Sequence, residues 1–251
     1  MVIVDTACLQ SAIIVIMSRK EIPAVGSYVH ICNRGAKKMP IFRQKEDLSR
    51  LLINLFYLNS VGRMPENWMR QLERLGDPKE LVWPSEWHTK APLVSILAFS
   101  IMPNHFHLIL KEIKEGGIST FMHRLTMGYA KFINEKYSES GSLFQGPFRS
   151  RIVSDDNDLR YLAVYVMVKN TFELFQGGLP EAIKHFDQAY VQAIESPLNS
   201  LAEYAGKRSS PIVTKEVLGE IFSDPEEFRS FANDCMLYQL EQLNFNPPIF
   251  L

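Results

Sequence analysis

Hydrophobic and polar positions alternate through GSYVHICNRG (residues 26–35), which ends in a turn signal and predicts a first strand over residues 27–33. In RQKEDLSRLLINLFYL, Leu48, Leu51, Leu52 and Leu55 recur at helical spacing and predict an amphipathic helix. Residues 61–91 hold neither period. Pro65, Gly76, Pro78 and Pro84 interrupt them, with Pro92 just beyond, so they read as an irregular surface insertion. Two β-rich runs follow, LVSILAFSIMP and HFHLILKEI, with only Pro-Asn between them, and a short turn must bring those strands together. GISTFMHRLTMGYAKFINEKY carries Phe121, Leu125, Tyr129 and Phe132 as a helical stripe, with Ser119 or Thr120 as its cap. SESGSLFQGPFRSRIV reads as a loop leading into a short strand over residues 149–153. DDNDLRYLAVYVMVKNTFELF opens with capping carboxylates and continues as a second long helix.

The order β-α-β-β-α-β-α predicts an α+β fold, a ferredoxin-like antiparallel sheet with helices packed on one face. Beyond Gly178 the chain turns acidic and helical. DPEEFRSFANDCMLYQL begins well, with Asp224 as cap and Pro225 at the first helical position, and SSPIVTKEVLGEIF is also amphipathic. The chain therefore divides into an N-terminal extension (1–24), a core (25–178) and an acidic helical C-terminal extension (179–251). The run SAIIVIM at 11–17 is too short to span a bilayer, and it lacks a basic flank and a clear cleavage site. The stretch from Met17 looks like a natural beginning, which makes residues 1–16 an upstream extension.

Composition is that of an ordinary globular protein, 46% hydrophobic over 251 residues. Cys8, Cys32 and Cys235 are scattered without CxxC spacing, which argues against a disulfide framework or zinc knuckle and suits a reducing cytoplasm. The net charge of −1 conceals an asymmetry. From Phe172 to Leu251 there are 12 acidic and 5 basic residues, leaving 22 basic and 16 acidic residues in the remainder. Basic residues cluster at 33–50 and again at 124–151, as in a polyanion-binding core beside an acidic appendage.

Inside IMPNHFHLIL (101–110), strand alternation would point His105 and His107 to the same side, about 7 Å apart along the backbone, close enough to converge on one divalent ion. A bare His-x-His is more often a pair of hydrogen-bonded, half-buried residues. The second long helix adds Tyr161, Tyr165 and Lys169 at i, i+4 and i+8, with Asn170 next. Tyrosines in such a run are commonly core packing.

Taken together these segments resemble the single-tyrosine HUH transposases, in particular the REP-associated tyrosine transposase branch. MPNHFHLIL resembles that family's MPNH-x-H strand. HICNRGAKKMPIFRQKEDLSRLL resembles its H-x-x-NRG…IF-x-x-x-x-D segment, and DLRYLAVYVMVKN its tyrosine helix. GYAKFINEKYSESGSLFQGPFRSRIV and SPLNSLAEYAG resemble the segments that follow the histidines and the core. The likeness covers roughly residues 24–230 apart from the insertion. It implies a metal-dependent transposase or endonuclease that cleaves and rejoins single-stranded, hairpin-associated DNA through a 5′-phosphotyrosine. Tyr165 is then the nucleophile, with Tyr161 in reserve, and His105 and His107 are ligands of Mg²⁺ or Mn²⁺.

The family places an amide four residues after the tyrosine. Here that residue is Lys169, and Asn170 lies about 100° further round a regular helix. Either a π-type bulge restores Asn170 as third ligand, or the ligand comes from elsewhere, or Lys169 contacts the phosphate. Arg34, Lys37, Lys38, Arg43, Arg149 and Arg151 are candidate phosphate contacts, and Phe144 and Phe148 candidate stacking platforms for unpaired bases. Two other readings stay open: a water-using metal phosphodiesterase, and a domesticated or inactive protein that binds hairpin DNA without cutting. Both monomeric and homodimeric forms fit.

Overall fold

The computed structural model describes residues 22–245. Residues 1–21, most of the expected N-terminal extension, lie outside the described residues, as do residues 246–251. Four strands, β1 (Tyr28–Arg34), β2 (Val94–Met102), β3 (His105–Glu112) and β4 (Arg149–Ile152), pair antiparallel in the order β2-β3-β1-β4. This is the ferredoxin-like order expected of the element sequence.

Helices α1 (Lys45–Tyr57) and α3 (Gly117–Tyr137) cover one face of the sheet. Leu48, Leu51 and Leu55 of α1 and Phe121, Leu125 and Tyr129 of α3 meet Val29, Ile31, Phe106, Leu108 and Leu110 from the strands. Contrary to the expectation of helices on one face only, the opposite face is roofed by α4 (Asp156–Val164), which runs on through a π-helical turn, Tyr165–Lys169, and a last short turn, Asn170–Phe172. The C-terminal helices α5 (Gly178–Lys184), α6 (Phe186–Glu195), α7 (Leu201–Tyr204), α8 (Glu216–Ile221) and α9 (Pro225–Phe245) join α4 in a single core with Leu97, Ala98 and Ile109. The acidic part of the chain is therefore a second layer on the sheet. Its apolar stripe, including Ala182, Ile183, Leu201 and Phe228, is buried against the tyrosine helix.

All nine residues of β2 are buried, and a bulge explains why its alternation does not read cleanly. Ile96 pairs with Leu110 and Ala98 with Ile109, so Leu97 is the extra residue and packs with Ala98 in the α4 core. Helix α3 is capped differently from expectation. The carboxylate of Glu112, the last residue of β3, accepts hydrogen bonds from the Gly117 and Ile118 amides at 3.0 and 2.9 Å. Ser119 and Thr120 thus fall inside the helix, and the Thr120 hydroxyl donates to the Gly116 carbonyl. The 61–91 insertion contains a helix the sequence did not signal, α2 (Trp68–Leu75), in which Leu72 is the buried residue. Trp68, Trp83 and Trp87 gather around Tyr57 at the end of α1, with ring centroids 5.8–6.0 Å from it.

The two motifs NRG and PNH are sewn together by backbone bonds. The Gly35 amide donates to the Asn104 carbonyl and the Ile41 amide to the Pro103 carbonyl, both at 2.8 Å. Gly35 is required here for space, because a Cβ on it would lie 2.2 Å from the Met39 carbonyl oxygen. Gly35→Ala should destabilise the protein by about 1–3 kcal/mol, the usual cost of forcing an atom into a filled site, seen as a lower urea midpoint at unchanged m-value. An unchanged midpoint would show that this turn has room to yield.

Candidate active site

Alternation along β3 sends His105 and His107 to the α4 side of the sheet, and cross-strand pairing decides what they meet. Cys32 pairs with His107, Arg34 with His105, and on the other side Ser100 pairs with His107. Arg149 and Arg151 of β4 pair with Cys32 and His30. One face of the sheet thus carries three histidines and three arginines, and all of these except Arg151 line a cleft of about 460 Å³, to which Tyr165 contributes from the roof.

The Tyr165 ring meets His107 edge-on, centroids 5.4 Å apart, and His30 at 5.9 Å. The π turn is what orients it relative to its neighbours. The Asn170 amide bonds the Tyr165 carbonyl, an i→i+5 contact, so residue +5 occupies the place above Tyr165 that +4 holds in a regular helix. Of the alternatives left open by the sequence, the π-type bulge is the one present. Asn170 is nevertheless buried below the cleft, and its side-chain nitrogen donates to Ser100 Oγ at 3.1 Å. Asn170 steadies the strand beneath His107 and does not line the cleft. Tyr161, one turn earlier, is buried against Phe231, centroids 5.3 Å apart, away from the histidines.

The other sequence-predicted residues separate into groups. Arg34, Lys37, Lys38 and Arg149 are exposed and make no ion pair among the described residues. Arg43 is bound to Glu139 at 2.8 Å and lies over the Tyr137 ring. Arg151 is held in a bidentate pair with Asp158 at 2.5 and 2.8 Å, a structural clamp between β4 and the first turn of α4 rather than a phosphate contact. Lys169 is paired with Glu173 and its ammonium lies 5.2 Å from the Tyr165 ring centre. Phe144 is a core residue, edge-on to Phe106 at 5.8 Å, and offers no platform for a base. Phe148 is half-buried and lines a separate cleft on the outer side of α3.

Burial sets the electrostatics. Desolvation lowers His105 to about 4 and His30 to about 3, and holds His107 well below the ordinary imidazole value, so all three rings are neutral at pH 7. Burial pushes the Tyr165 phenol up to about 12, opposed by the nearby Arg34 cation. The donor set fits a partial metal shell. His105 Nδ1 lies 2.7 Å from Asn104 Oδ1, and His107 Nδ1 lies 2.9 Å from His30 Nε2. Each ring is thereby tied at Nδ1, and His107 Nε2 is buried with no partner among the described residues. That is the arrangement of imidazoles prepared for an ion at Nε2. Among the described residues, no cluster of three or more His, Cys, Asp or Glu side chains forms a fuller shell.

His30 escaped the sequence reading. It stands in the HICNRG stretch like any alternating strand residue, and its place beside His107 depends on the β1–β3 register.

Residues 88–169 match the family model described as Transposase IS200 like, a span that holds β2, β3, α3, β4 and the tyrosine helix as far as Lys169. No curated protein matches the sequence. A solved structure described as the REP-associated tyrosine transposase bound to a REP hairpin is similar at 12% identity, with 78% of this chain and 89% of that chain covered and a TM-score of 0.44.

The two β4 arginines should behave differently. Arg149→Ala is expected to weaken single-stranded DNA binding and lower the salt slope by about one, with little change in melting temperature. Arg151→Ala should instead cost about 1–3 kcal/mol of stability by stranding the mostly buried Asp158 carboxylate. Equal effects of both substitutions on stability would refute the division.

Proposed function

From the IS200-like transposase match across the histidine strand and tyrosine helix, we propose that this protein cleaves and rejoins single-stranded DNA through a covalent phosphotyrosine at Tyr165. The observation that carries the reading is the Tyr165 ring standing edge-on to His107, with Arg34 and Arg149 lining the same cleft.

A phenol with its pKa raised to about 12 is protonated at neutral pH and is a weak nucleophile in that form. The cleft answers this with positive charge. Arg34 opposes the rise, and an anionic phosphodiester drawn in by Arg34 and Arg149 is presented to the hydroxyl. Tyr165 Oη forms a bond to phosphorus as the bond from phosphorus to the 3′-oxygen breaks. The phenolic proton leaves to solvent and the departing 3′-oxygen takes up a proton. The product is a 5′-phosphotyrosine and a free 3′-hydroxyl, and attack by a 3′-hydroxyl reverses the step and rejoins the strand. A divalent ion, Mg²⁺ or Mn²⁺, held by His105 and His107 would supply charge neutralisation at the phosphoryl oxygens. Lys169, paired with Glu173 beside the Tyr165 ring, is placed to exchange that partner for a DNA phosphate.

Incubation with a labelled hairpin bearing a single-stranded flank and Mn²⁺ should yield a denaturant-resistant protein–DNA conjugate. Tyr165→Phe should abolish the conjugate and leave DNA affinity within about twofold, since the ring that packs against His107 is kept and the hydroxyl makes no hydrogen bond among the described residues. Hairpin binding with no conjugate, across a varied set of DNA sequences, would instead indicate a binding-only protein. A free 5′-phosphate formed at multiple turnover would indicate a water-using phosphodiesterase.

Charge also makes a prediction about the ion. Two neutral imidazoles beside Arg34 and Lys169 hold a dication weakly until an anionic phosphate joins them. In the Tyr165→Phe protein, saturating single-stranded DNA should tighten Mn²⁺ by about tenfold or more, and Mn²⁺ should tighten DNA by the same factor. Independent binding in a two-way titration would rule out a shared site.

A further inference from the structure

We infer that His30 is a positioning residue for His107: it accepts the Nδ1–H of His107 and so keeps the Nε2 lone pair of that ring toward the cleft. This deepens the proposed site, and rests on that reading only where the metal is concerned.

His30 and His107 are both almost fully buried, and their nitrogens lie 2.9 Å apart. The ring planes are 23° apart with centroids 5.1 Å from each other, a spacing set by an end-to-end hydrogen bond rather than by face-to-face stacking. A bond between two neutral imidazoles can run either way. Surrounding charge breaks the tie. The Lys169 and Arg34 cations bear on His107, which favours a lone pair over an N–H on its free nitrogen. On His30 the Arg151 cation outweighs the Asp158 carboxylate, so the His107 side sets the direction, and the His30 hydrogen then sits on Nδ1, which is buried with no partner among the described residues.

His105 shows the same construction with its direction settled. Its Nδ1 faces Asn104 Oδ1 at 2.7 Å, while the Asn104 side-chain nitrogen donates to the Lys38 carbonyl at 3.3 Å, so the oxygen is the atom presented to the ring. Both imidazoles of the pair are then Nδ1–H tautomers with Nε2 unprotonated. His105 is set by the turn residue beside it, and His107 by a histidine from the neighbouring strand. The edge of Tyr165 lies against His30 and His107 together, so a change in one ring's position is felt by the phenol as well.

The test uses the full chain labelled with ¹⁵N-histidine and long-range proton–nitrogen NMR without metal. His107 is expected as the Nδ1–H tautomer, with that preference lost in His30→Phe and retained in His30→Gln, whose amide oxygen can accept the same hydrogen. Mn²⁺ affinity, read by electron paramagnetic resonance with single-stranded DNA in the Tyr165→Phe background, should fall about 10–100-fold with His30→Phe and within about threefold of the parent with His30→Gln. DNA affinity without metal should not move. An Nε2–H tautomer for His107 in the parent overturns the inference, as does a His30→Phe protein of unchanged melting temperature that binds Mn²⁺ like the parent. If His30→Phe fails to fold, the parent tautomer and His30→Gln decide. A parent with the expected tautomer and no Mn²⁺ binding would leave the His30 role standing and remove the metal from the proposed function.

Discussion

Because β3 is covered on both faces, its alternation sends Phe106, Leu108 and Leu110 into the α1/α3 core, and His107 and Ile109 to the side roofed by α4. A slip of one residue would drive imidazoles into hydrocarbon and phenylalanine into the cleft, so the register is held by two cores at once. The same double burial removes water from His107 and leaves it neutral. A buried neutral imidazole needs a partner for at least one nitrogen, and β1 supplies it through His30. The polar chemistry of the site is thus a consequence of where the sheet is packed.

The tyrosine helix is placed by contacts at both ends. Asp155 caps its first turn and Asp158 locks it to β4 through Arg151. At the other end the π turn accommodates one extra residue without moving Tyr165 off the sheet, and Asn170 is secured to Ser100 on β2. π turns interrupt regular hydrogen bonding at a cost that packing must offset, and they recur at functional positions. Here the offset comes from Val166, Met167 and Val168, all buried in the core shared with the C-terminal helices. Those helices have a part in the site although, among the described residues, none of their side chains lines its cleft.

Charge is arranged with equal economy. Several cations that a count of residues assigns to the DNA face are already occupied: Arg43 by Glu139, Arg151 by Asp158, Lys169 by Glu173. Arg34 and Arg149 remain at the cleft, with Lys37 and Lys38 beyond them in the turn that Asn104 holds to the sheet. Two cations without an ion pair among the described residues thus stand beside neutral imidazoles in one cleft.

Local patterning in the sequence was enough to determine the strands, the two sheet-packing helices, the ferredoxin-like order and the pairing of His105 with His107, because period two and period 3.6 are written in neighbouring residues. It also determined that Tyr165 belongs to a capped helix after the last strand. Four things were decided only by tertiary structure: the place of His30 beside His107, the burial of Phe144, the engagement of Arg151, and the π turn at Tyr165. Each depends on a partner distant along the chain: a strand register, a core residue of β3, an aspartate of the next helix, and a second helical layer that compensates an extra residue. No window of a few residues contains those partners, so no local pattern records them.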